Sequence, residues 1–193
     1  VQQMLYPNAK LTTASQVLAT VLMKCTRELR PSAIAGVAAA ALLSCSFSAN
    51  ATEIPAAVTA KDKSVLETVH ARGVQIYECK TGIDGKLTWQ FREPLATLMV
   101  KGRTVGRHFA GPGWEFEDGS TIKGKVAAQA PGATVKDIPI LRLDVVEHKG
   151  VGKLSEVSTV QRLETSGGTF SGNCSDVGSI HLEPYSAEYV FLK

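Results

Sequence analysis

Cysteine is scarce in this chain. Four stand in 193 residues, Cys25, Cys45, Cys79 and Cys174, and no two have C-x-x-C spacing. The four histidines, His70, His108, His148 and His181, are scattered with no ligand spacing among them. Zinc-ribbon and thioredoxin-like chemistry are therefore excluded, and no metal and no cofactor is expected. A nucleophile elbow, a phosphate loop, a zincin helix and an EF-hand loop are all missing, which removes the reaction classes those motifs carry. No long helical pattern interleaves the strand signals, which argues against a parallel α/β sheet. Internal repeats and low-complexity linkers are absent too.

A charge surplus is missing where it would matter. The formal net charge is +3, but Lys10, Lys24, Arg27 and Arg30 face only Glu28 within the first 51 residues, and the rest of the chain holds as many acidic as basic side chains. Nothing in it calls for a nucleic-acid partner. Hydrophobic runs are short as well. The longest, Ala33 to Phe47, falls below the length needed to span a bilayer, so no transmembrane helix is expected in the mature chain.

What is present at the start reads as a leader. Met23 opens a segment with Lys24, Arg27 and Arg30 as a positive region, the Ala33–Phe47 apolar run, and Ala49-Asn50-Ala51 as an A-x-A cleavage site. The expectation is an upstream extension over 1–22, a true start at Met23, cleavage after Ala51, and an exported protein, periplasmic or extracellular. Leu42-Leu43-Ser44-Cys45 offers a rival, a lipoprotein box with Cys45 acylated. Export leaves Cys79 and Cys174 as the retained thiols, and two thiols in an oxidising compartment are expected to pair.

The mature chain divides into an N-terminal arm, 52–72, and a β domain, 73–193. In the arm, Val65, Leu66 and Val69 suggest a short helical turn that Gly73 would stop. Beyond Gly73 the signal is strand. Val74 to Cys79 is rich in β-formers, and Asp84-Gly85 marks a turn. Leu87, Trp89 and Phe91 alternate with polar residues, as do Leu141, Leu143 and Val145, and Tyr185, Ala187, Tyr189 and Phe191 line one face of a last strand. Leu154, Val157, Val160 and Leu163 recur every three residues, a helical spacing, yet Val157-Ser158-Thr159-Val160 is β-rich and is read as strand. Dense Gly and Pro punctuation between about eight or nine short strands predicts an all-β, single-domain antiparallel sandwich or barrel, with a mostly irregular N-terminal arm.

Residues 108–121, HFAGPGWEFEDGST, concentrate the candidate chemistry. Asp118-Gly119 is a hairpin signal. A two-residue loop would mix polar and apolar side chains on both faces. A three-residue loop with Gly119 left-handed in a bulge puts Trp114, Phe116 and Ile122 on one face and Glu115, Thr121 and Lys123 on the other, and that segregation selects it. Glu115 should then lie outward beside Lys123. Glu115 and Glu117 carry a glycosidase-like spacing, but on a solvated face they read as ordinary strand carboxylates. His108 precedes the side-chain-poor Gly111-Pro112-Gly113 segment, where a ligand could approach the backbone. The plain alternative is a histidine hydrogen-bonded to a loop carbonyl.

Gly73–Cys79, Val105-Gly106-Arg107-His108, Gly111–Trp114, Asp118-Gly119-Ser120, Ile138-Pro139, Gln161-Arg162, Gly167-Gly168, Cys174 and Tyr185–Tyr189, in this order, resemble the domain-of-unknown-function 3455 family, small exported proteins of bacteria and fungi. The resemblance runs from Gly73 to the C-terminus. It implies an exported single domain bridged by Cys79 and Cys174, and it implies no activity. Gly113 and Ile140 depart from the family pattern, which tends to Thr or Ser at the first position and an aromatic at the second.

Three functions remain open. The first is a ligand-binding or cell-envelope-associated module. Its site would lie at His108, Gly111, Pro112 and Gly113 with Tyr185 and Tyr189, and its partner would be a small molecule or an envelope component. The second is a small secreted enzyme using His108 as base with Asp118 or Glu115. The third is a structural envelope protein assembling through sheet edges.

Overall fold

The computed structural model describes residues 53–193. The upstream extension, the signal-peptide pattern, its cleavage site and Cys45 lie outside the described residues.

The alternating segments form eight antiparallel strands in one closed barrel, each pairing with the next in chain order. They are β1 (Val65–Thr81), β2 (Leu87–Val100), β3 (Arg103–Phe109), β4 (Gly113–Phe116), β5 (Thr121–Ala130), β6 (Ile140–Lys149), β7 (Thr159–Gly167) and β8 (Ile180–Leu192). β8 returns to pair with β1 from Val65 to Glu78. Short 3-10 turns at Ala56–Val58 and Lys153–Glu156 are the only helical elements among the described residues.

The helical turn suggested by Val65, Leu66 and Val69 does not form. β1 already begins at Val65, and Val69 pairs with Tyr189 of β8, so ladder pairing overrides a local spacing that also suits a helix. Gly73 is no stop signal. A Cβ at this position would collide with the Leu95 carbonyl oxygen across the ladder, so its missing side chain lets β1 and β2 approach. The spacing of three in 154–163 has a compound origin. Leu154 sits in the second 3-10 turn, and Val160 belongs to β7.

Antiparallel order sends the connections alternately to two ends of the barrel. One end is closed by packing. Leu154 folds beneath it, and Trp114, Ile122, Leu143, Val160 and Phe191 fill the interior, each essentially inaccessible to water. Here too the chain leaves the barrel: Ser64 and Lys193 exchange both backbone hydrogen bonds, at 3.1 and 3.0 Å.

The other end is built differently, because β3 and β4 are short. β2 pairs with β3 only from Ala96 to Val100, and β5 pairs with β4 only from Thr121 to Lys123. The first half of β2 and the second half of β5 therefore face each other across a notch, whose sill is the Phe109–Gly113 turn. The connection from β7 to β8 crosses this end as a strap. Thr88 bridges Asn173, Trp89 N–H donates to the Gly172 carbonyl at 3.0 Å, and the Tyr77 hydroxyl donates to the Gly168 carbonyl at 2.7 Å. The Cys79–Cys174 disulfide, with its Cα atoms 5.9 Å apart, fixes the strap to β1.

Candidate binding cavity

The hairpin that opens the site takes the bulged form. Trp114 opposes Ile122 and Glu115 opposes Thr121, Phe116 N–H donates to the Ser120 carbonyl at 3.0 Å, and Gly119 has a φ of +84°. Trp114, Phe116 and Ile122 are buried. Glu115 points outward, but its partner is Arg107 at 2.9 Å, while Lys123 pairs with Glu147 at 3.1 Å. The register explains the difference: Lys123 faces Gly113, and the residue directly opposite Glu115 on its other side is Arg107.

Inward-facing parity along β1 runs Val69, Ala71, Gly73, Gln75, Tyr77, Cys79. The first members enter the core. Gln75 and Tyr77 rise above it and line a cavity of about 420 Å³. His108 separates the two zones. Its ring stacks on the Trp114 indole (centroids 4.8 Å apart, planes 14° apart) and lies 5.0 Å from the Tyr189 ring. Above His108 the walls are Pro94 and Phe91 of β2, Val126 of β5, Leu141 of β6, and Ile138 with Pro139 of the preceding loop. Arg162 of β7 contributes the charge, Arg92 and Thr169 complete the lining, and Gly111 and Pro112 form the sill. The opening is the notch, where Phe91 and Val126 are about half exposed.

His108 Nδ1 lies 2.8 Å from the Gly113 carbonyl, and the ring is 2% exposed. A carbonyl only accepts, so Nδ1 carries the proton, and Nε2 of the neutral ring is a lone pair without a hydrogen bond to a described residue. Burial pushes the imidazole down to about 4; the Gly113 bond opposes that and the nearby Arg162 charge adds to it. His108 is therefore neutral near pH 7 and accepts through Nε2. The Gln75 amide nitrogen, also buried, has no acceptor. Gln75 and His108 thus add polar atoms to a mostly apolar enclosure.

Of the residues singled out in the sequence, His108, Gly111 and Pro112 meet at the cavity. Gly113 stands behind His108 and supplies the carbonyl; a side chain in its place would strike the Phe109 ring. Tyr189 packs beneath His108, and Tyr185 lies further along the same inward face of β8. Both hydroxyls are buried close to each other, and burial raises both above the ordinary phenol range. Gln75, Tyr77 and Arg162 escape a pattern that looks for apolar residues inside a barrel. Pro94 was the available signal, since a proline within a strand marks an unpaired edge.

The carboxylates do not join His108. Glu115 lies on the outer face. Asp118 is at the closed end, where it accepts from Lys153 N–H (2.8 Å), Ser120 N–H (2.9 Å) and Ser120 Oγ (2.6 Å). These bonds, led by the Lys153 amide, hold its carboxyl below the usual carboxylate range. It is a turn-forming side chain. The His108–Asp118 and His108–Glu115 pairs are geometrically excluded. β1 and β8 satisfy each other and close the barrel, so unpaired strand edge is confined to the notch and to the ends of β6 and β7 that extend past their four-residue pairing.

The family model described as "Protein of unknown function (DUF3455)" matches residues 59–193. The chain belongs to this family. The match starts within the N-terminal arm and takes in all eight strands. No curated protein and no solved structure matches this family member. Among the described residues, no helix is long and apolar enough to cross a membrane, and no cluster of three or more His, Cys, Asp or Glu is placed to hold a metal ion.

Proposed function

We propose that this protein is a binding module that takes one small amphipathic molecule through the notch into the open end of its barrel. The observation that supports this reading is the composition of the cavity. Mostly apolar walls enclose the Gln75 amide nitrogen, buried without an acceptor, and the His108 ring edge, and burying such polar groups without partners costs free energy that a bound molecule would recover. Ligand sites have this character: mostly apolar, with a few convergent polar groups. Eight strands also give a barrel of the width that holds one small ligand. The disulfide suits an oxidising compartment and fits export.

Val126→Trp tests the reading. Val126 stands at the entrance and is 47% exposed, so a larger side chain there fills the passage without disturbing the core. A thermal-shift screen of small aromatic and aliphatic amphiphiles against the wild-type protein is expected to give stabilising hits that Val126→Trp abolishes while its own unfolding transition stays within a few degrees. Hits that survive the substitution unchanged, or no hits in any class, would overturn the proposal.

A further inference from the structure

We infer that the molecule bound in this cavity is an anion, a carboxylate on an apolar body, with the carboxylate on Arg162. The inference rests on the binding reading above and adds the chemical class of the ligand.

The charges around the cavity are one-sided. Two arginines and no aspartate or glutamate line it. Arg92 is already paired: Nε and Nη2 contact Glu93 Oε1 at 2.9 and 2.6 Å. Arg162 forms no ion pair with any described carboxylate. Its Nε and Nη2 instead donate to the Pro139 carbonyl at 3.0 and 2.8 Å. That contact locks the planar fork and turns one edge to the backbone, leaving the opposite end to face the cavity beside the Tyr189 hydroxyl. A fixed guanidinium edge matches a carboxylate in geometry and charge, and holding it in advance removes part of the ordering cost of binding.

Arg162 also belongs to the cavity by register. It pairs with Leu141 on one side and Tyr189 on the other, both inward-facing, so its side chain leaves the barrel wall toward the interior. Its positive charge reaches His108, Tyr185, Tyr189 and Tyr77, whose titration it biases. Gln75 Nε2–H adds a second donor without an acceptor. Donors and positive charge therefore outweigh acceptors in the enclosure. The neutral His108 Nε2 is the exception, and it repels an oxyanion. The carboxylate is thereby directed to the Arg162 side, and the apolar body lies against Phe91, Val126 and Leu141.

Three probes with one carbon skeleton test this by calorimetry at pH 7: naphthalene-2-carboxylate, 2-naphthylmethanol and 2-naphthylmethylammonium. The carboxylate is expected to bind at least tenfold more tightly than the alcohol, and the ammonium more weakly than both. Arg162→Gln should cost the carboxylate at least tenfold and leave the alcohol within threefold. Arg162→Lys, which keeps the charge and loses the fork, should fall between, and it guards against an Arg162→Gln variant that does not fold. Equal affinity for all three probes, or an alcohol preference that Arg162→Gln leaves unchanged, overturns the anion assignment while the cavity stands as an apolar site. If none of the three binds and Val126→Trp changes nothing, the binding reading itself fails.

Discussion

His108 is where the residue scale reaches both stability and function. Its imidazole is buried neutral, with desolvation bringing it down to about 4, whereas an unfolded chain takes up the proton near pH 6.5. Between these values the unfolded state binds more protons than the folded one, so stability falls as the pH drops. The contribution is complete above about pH 6.5 and largely lost near pH 4. From pH 7 to pH 4.5 the loss from this group is about 2–3 kcal/mol. His108→Phe keeps the stacking on Trp114 and removes the titration. Its urea midpoint at pH 7 is expected below that of the wild type, because the Gly113 carbonyl loses its donor, but its further drop at pH 4.5 should be markedly smaller. Parallel curves for the two proteins would show that His108 is not titrating in this window. At this scale the sequence was readable on one point and misleading on another. The inward indole followed from the segregation of apolar side chains, while the partner of Glu115 did not, because a single hairpin carries no information about the strand on its other side.

Among the elements, the short β3 and β4 decide the architecture of the site. They leave residues 90–95 of β2 and the second half of β5 without ladder partners on one side, in contrast to β1, which is paired along both edges. Native-state hydrogen exchange should follow that division. Amides of Val69–Tyr77 are expected to exchange slowest, through global unfolding, and those of Arg92–Leu95 (Pro94 has none) and Lys125–Ala130 by local opening, at least a hundredfold faster. Uniform protection across the barrel would mean that the notch is closed in solution. Strand existence was legible from period-two patterning in β2, β6 and β8. The notch was not, since it depends on strand lengths, and ends are where local patterns are weakest. Polar Gln75 and Arg162 occupy inward parity, so by pattern alone they read as outward-facing. Only their register in the closed barrel brings them together with His108.

For the whole molecule, the disulfide is the one covalent cross-link among the described residues, and it spans 95 residues of sequence. A loop of that length corresponds to about 4–5 kcal/mol in the chain-entropy model, with measured values often smaller. Cys79→Ser with Cys174→Ser is expected to lower the unfolding free energy by about 2–4 kcal/mol, read from urea denaturation, and to loosen the strap before the barrel. Limited proteolysis should then cut within residues 168–179 first. Cleavage in the strands ahead of the strap would refute that order. The pairing of these cysteines and the all-β class were both within reach of the sequence. Barrel closure was not, because β1 and β8 find each other across most of the described chain.

The mutual bonds of Ser64 and Lys193 have a practical outcome. Whatever is fused to the carboxyl end hangs from the pole opposite the notch. A molecule tethered to a surface by its carboxyl end would therefore hold its entrance away from the support and toward the surrounding fluid.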